Sequence, residues 1–104
     1  MAILTKTHLD GDVLQLNLGV TRLDAASART FKQEVADVWT AEVKSVTIDM
    51  SAVRFIDSSG IGALLSVYKR LPQGGPSVRL SGVAPAVVSV IELLRLHRIF
   101  EISA

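Results

Sequence analysis

The chain has 104 residues, 49% of them apolar, with 11 basic and 10 acidic side chains, a formal net charge of +1 and no cysteine. That is one domain's length with enough apolar material for a core, which excludes a disordered segment, a disulfide framework and a thiolate metal site. The balanced charge supplies no large field for nucleic acid or an anionic membrane, and the apolar runs are too short to span a bilayer.

Met1 to Lys6 lack a basic segment followed by a long apolar run, so no signal peptide is expected. Ile3–Leu9 and Val13–Leu18 read as strands flanking Asp10-Gly11-Asp12, a hairpin signal because glycine tolerates the positive φ of a tight turn. Asp24 looks like a helix N-cap. After it, Ala28, Phe31, Val35, Val38 and Trp39 share one face of a helix over Ala25–Thr40, with Lys32, Gln33 and Asp37 largely outside that stripe.

Val46–Met50 reads as a buried third strand, and Ser51–Ile56 as an irregular or short extended approach. Asp57-Ser58-Ser59-Gly60 then opens a second helix over Ser58–Arg70, with Ile61, Leu64, Leu65 and Tyr68 on one face and Lys69 and Arg70 suited to its C-terminal end. Pro72-Gln73-Gly74-Gly75-Pro76 is a break. Ser77–Ser81 alternates as a fourth strand. Pro85 suits the first turn of a third helix, where a missing N–H costs nothing. That helix carries Val87, Val90, Ile91 and Leu94 on one face, and Val88 and Leu93 fall off it, so the stripe is wide; burial against the strands is the commoner explanation, a contact surface the other. Ile99–Ile102 closes the sheet as a last short strand.

The order β-β-α-β-α-β-α-(β) predicts a single α/β domain over residues 1–104: a mixed four- to five-stranded sheet with helices packed on it. The hairpin is antiparallel, and the later β-α-β units favour parallel pairing.

Groups for catalysis are sparse. His8 and His97 are the only histidines, and neither has metal-ligand spacing. Gly60-Ile61-Gly62 lacks the lysine of a P-loop and the third glycine of a dinucleotide site. Ser58 and Ser59 do not sit in a nucleophile elbow, and Ser66-Val67-Tyr68-Lys69 matches a serine–lysine motif by letters only. Asp49 and Asp57 read as lone caps rather than a catalytic carboxylate pair. Aromatic content of 5%, without basic–aromatic interleaving, does not favour single-stranded nucleic acid. No enzyme is expected.

The informative stretch runs from Val46 to Leu65: a strand, a polar loop, Asp57-Ser58-Ser59-Gly60 and an amphipathic helix. It resembles the STAS domain family, and within it the bacterial anti-sigma factor antagonists. Leu23-Asp24 before the first helix and Ser81–Val87 leading into the third fit the same pattern. One position departs: Thr21 stands where relatives often carry a glycine, with Gly19 two residues earlier.

The resemblance implies partner switching in transcription control. The unphosphorylated antagonist binds an anti-sigma factor that is also a serine kinase. Phosphorylation of the serine after the motif aspartate ends that binding, and a PP2C-like serine phosphatase restores it. The implied phosphoacceptor is Ser58, with partner contacts at Asp24, Asp57, Ser59 and Gly60. No cofactor is implied, since ATP belongs to the kinase, and a cytoplasmic location follows. Read from spacing alone, Ser58 is a helix cap. A second reading of the whole chain is a non-switching STAS adaptor in a lipid-transport or sensory complex.

Overall fold

The computed structural model describes residues 3–72 and 78–103. β1 (Leu4–Asp10) and β2 (Val13–Leu18) form the expected antiparallel hairpin, and Gly11 takes a φ of +64° that glycine adopts without a Cβ penalty. β3 (Arg22–Leu23) is a two-residue strand that the sequence reading passes over. α1 (Ala25–Val38) buries Ala28, Phe31 and Val35, as the periodicity predicts. It stops short of Thr40 because Trp39 turns to extended backbone, with Arg70 lying 5.5 Å over its ring.

β4 (Ser45–Asp49) follows. The expected irregular approach resolves into a turn at Ser51-Ala52 and a second two-residue strand, β5 (Phe55–Ile56). α2 (Ser58–Arg70) has the predicted bounds. Its buried face comprises Gly60, Ile61, Ala63, Leu64 and Val67, while Leu65 and Tyr68 are half-buried and Tyr68 meets the edge of Phe100 at 6.4 Å. Most of the predicted break, Gln73 to Pro76, and the start of the fourth strand at Ser77 lie outside the described residues.

β6 (Val78–Ser81) leads to α3 (Pro85–Leu93), which buries Val87 and Ile91. Leu94, expected on that buried face, is 50% exposed. The reason is backbone: the helix ends at Leu93, and Arg95 adopts a left-handed conformation (φ 60°) that turns the chain away. Val88 is half-buried against the core, whereas Leu93 stands in solvent. One 3-10 turn (Leu96–Arg98) precedes β7 (Phe100–Ile102).

The main sheet has the order β1-β2-β4-β6-β7, antiparallel at the hairpin and parallel elsewhere. This is the mixed sheet expected, with five strands and three helices. Alternation puts Leu14, Leu16, Val46, Ile48, Val78, Leu80 and Phe100 into the core beneath the helices. The opposite face is polar. One row across it runs Gln15, Thr47, Arg79, Glu101 in direct register, ending in a 3.1 Å Arg79–Glu101 ion pair. The domain is therefore two layers, with the helix starts gathered above one end of the sheet.

Candidate functional site

β3 and β5 pair in parallel as a separate two-stranded sheet, Arg22 beside Phe55 and Leu23 beside Ile56. The Thr21 carbonyl accepts from the amides of Arg54 (2.7 Å) and Phe55 (3.1 Å), and the Leu23 carbonyl accepts from Asp57 N–H at 3.4 Å. Thr21, the position that departs from the family pattern, thus acts through its main chain. Gly19 serves a different contact: a Cβ there would fall on the Thr5 side chain. Leu23 and Ile56 are both buried and anchor the pair in the core. Each strand is followed at once by an aspartate that starts a helix.

Asp24 caps α1. Its Oδ1 accepts from Ser27 N–H at 3.3 Å, and its own N–H donates to Ser27 Oγ at 2.9 Å, a reciprocal capping box. The Ser27 hydroxyl donates to the Arg22 carbonyl at 2.7 Å and lies 3.1 Å from Asp24 Oδ1. The Ser27 amide, then its hydroxyl, then the Arg22 guanidinium 3.8 Å away hold the Asp24 carboxyl below the usual aspartate range. Arg22 also lies over the exposed ring of Phe55, 4.0 Å from its centroid.

Asp57 caps α2, its Oδ1 accepting from Gly60 N–H at 3.1 Å while its carbonyl accepts the first helical bond from Ile61. Ser58 is the first helical residue and is exposed; Ser59 is half-buried. Gly60 is buried. A Cβ there would land on the Leu23 carbonyl oxygen and 2.7 Å from Ile56 Cγ1, so glycine is what lets the first turn of α2 sit on the β3–β5 pair. Any contact it makes with another molecule would be indirect, through the backbone it positions.

The structure therefore brings Asp24, Asp57, Ser58, Ser59 and Gly60 to one end of the domain, on two helix starts held together by four strand residues. Sequence reasoning missed Arg22 and Phe55, because two-residue strands carry no alternation. It also missed a groove of about 550 Å³ between α1 and α2, whose lining includes Ala25, Ala28, Arg29, Lys32, Ser59 and Gly62. A glycine inside a helical run, Gly62, was the available signal.

Neither histidine belongs to this end: His8 is on β1 and His97 in the 3-10 turn. Among the described residues no cluster of three His, Cys, Asp or Glu side chains could hold a metal, and no helix is long and apolar enough to cross a membrane. What the arrangement offers chemically is a solvent-facing hydroxyl on a helix start whose free N–H groups and dipole favour negative charge.

A family model described as STAS domain matches residues 6–104. Among solved structures, an anti-sigma-factor antagonist (STAS) domain protein from Planctomyces limnophilus is similar at 25% identity and a TM-score of 0.77, over 98% of this chain and 89% of that one. The anti-sigma factor antagonist SpoIIAA in its unphosphorylated form is similar at 17% identity and 0.76, over 95% and 87%. The Bacillus cell fate determinant SpoIIAA in its phosphorylated form is similar at 16% and 0.69, over 95% and 90%. The two SpoIIAA likenesses speak to the fold.

Proposed function

The chain belongs to the STAS domain family, and from that premise we propose that it is a non-enzymatic anti-sigma factor antagonist that works by partner switching, with Ser58 as phosphoacceptor. The unphosphorylated form binds an anti-sigma serine kinase through the surface around Asp24, Asp57 and Ser59; phosphate on Ser58 releases it, and a serine phosphatase resets the cycle. One observation carries this reading. Asp57 performs the capping of α2, so the Ser58 hydroxyl has no capping duty and stands exposed beside it.

The physics is consistent with a switch that leaves the fold alone. Phosphate adds about −1.5 to −2 charge near pH 7, which a helix N-terminus tolerates. At a docked interface the same dianion, next to Asp57, has to be desolvated beside a like charge. A penalty of about 3–4 kcal/mol weakens binding several hundred-fold.

The test is phosphorylation in vitro by the anti-sigma-type serine kinases of the same genome, with the product mapped by mass spectrometry. A single phosphate on Ser58, and release of the kinase on its addition, are expected. A chain that binds such a kinase equally well with and without phosphate on Ser58 is a non-switching adaptor instead.

A further inference from the structure

We propose that the groove between α1 and α2 receives an acidic segment of the kinase partner, whose main chain packs against Gly62. This rests on the partner-switching reading and adds a binding surface to it. Gly60 and Gly62 lie on the same helix, yet their surroundings differ. A Cβ at Gly60 collides with β3 and β5, whereas nothing lies within 4 Å of the Cβ position at Gly62. Glycine is less favourable than alanine inside a helix. The fold itself therefore has no use for a glycine at 62, and the space it opens faces the groove.

The groove's chemistry selects its occupant. Ala25 and Ala28 keep the α1 side low, Ser59 adds a hydroxyl, and Arg29 and Lys32 supply two exposed cations. Among the described residues the ion pairs are Arg22 with Asp24 and Arg79 with Glu101; neither groove cation has a carboxylate partner. Two uncompensated cations beside a bare helix backbone suit a segment that brings carboxylates and a closely approaching main chain. Ser58 immediately precedes Ser59 of the groove wall. A dianion there repels an acidic occupant, so groove and switch act in the same direction.

The measurement is affinity for the kinase without ATP by calorimetry, so that Ser58 stays unmodified, alongside thermal unfolding of each variant. Gly62→Ala should raise Tm by about 4–8 °C, because it adds helix propensity into open space. It should nonetheless weaken binding about 10-fold through loss of close approach. Gly62→Leu should block docking more strongly. Arg29→Glu with Lys32→Glu should weaken it about 100-fold, and the wild-type affinity should fall with added salt. Variants that bind within twofold of wild type overturn the proposal, as does sedimentation showing the groove buried between two copies of this chain. Binding of the kinase without phosphorylation of Ser58 would remove the switch, and the same titrations would still decide the groove.

Discussion

Leu23 pairs with Ile56 across β3 and β5, so the aspartates that follow them, Asp24 and Asp57, start two neighbouring helices from one level. The two caps are built differently. At α1 the third helical residue is Ser27, which returns a hydrogen bond to Asp24; at α2 it is Gly60, which cannot, and the hydroxyls sit earlier, at Ser58 and Ser59. One helix start is closed upon itself, and the other leaves its hydroxyl side chains available.

The switch is tested directly at that second start. Ser58→Ala should unfold at the same denaturant concentration as the wild type and hold the kinase permanently in the presence of ATP. Ser58→Asp should bind more weakly than wild type, though less so than the phosphoprotein, since it carries one charge rather than about two. A pull-down in which the aspartate variant retains the kinase as firmly as wild type counts against the model.

Gly60→Ala should destabilise the domain by about 1–3 kcal/mol despite the better helix propensity of alanine. The new methyl has to displace the Leu23 carbonyl or the Ile56 side chain, and both are fixed in the β3–β5 pair. Urea unfolding beside Gly62→Ala gives the comparison: two glycine-to-alanine changes, two residues apart, with opposite signs.

Much of this was legible beforehand. The hairpin, the Asp24 cap, the bounds of α2 and the inward face of α1 follow from turn chemistry and periodicity, which are local. On α2, Ile61 and Leu64 turn inward as read, whereas Leu65 and Tyr68 are half-buried, Ala63 and Val67 take the core positions, and Asp57 rather than Ser58 is the cap. What escaped depends on partners distant in sequence. Arg22-Leu23 becomes a strand only because Phe55-Ile56 lies beside it. Leu94 left the core because Arg95 took a left-handed conformation with no glycine or asparagine to announce it. Lys32, correctly kept off the buried stripe of α1, becomes part of a groove only once α2 is packed alongside.

Acid should loosen the fold through specific carboxylates. Asp49 is held below its usual range first by the Ser51 amide, which donates to Oδ1 at 2.9 Å, and then by the Ser51 hydroxyl; Asp24 is held low chiefly by the Ser27 amide. A carboxyl depressed in the folded state binds fewer protons there than in the unfolded chain. Its contribution is complete above the unfolded value of about 4 and is lost as pH falls through the lower folded value. Asp24→Asn and Asp49→Asn should each lower Tm modestly in the neutral range, where the charged carboxylate contributes fully, and should correspondingly flatten its fall below about pH 4. An unchanged acid slope in the double variant would refute the assignment.

Glu34 on α1 clamps the start of β1. Its carboxylate accepts from Ile3 N–H at 3.0 Å and from Leu4 N–H at 2.8 Å. Glu34→Ala should cost about 1.5 kcal/mol, the low end of the range for bonds to a charged acceptor because the site is only half-buried. Hydrogen exchange should show the Ile3 and Leu4 amides opening while β4 and β6 keep their protection.

The β3–β5 pair has a mechanical consequence as well. With a few backbone hydrogen bonds and two buried side chains joining the helix starts, the spacing of their aspartates is set as on a fixed caliper. A visiting protein meets a gauge of constant width, and it can be turned away by what is hung on the jaws without the jaws having to open.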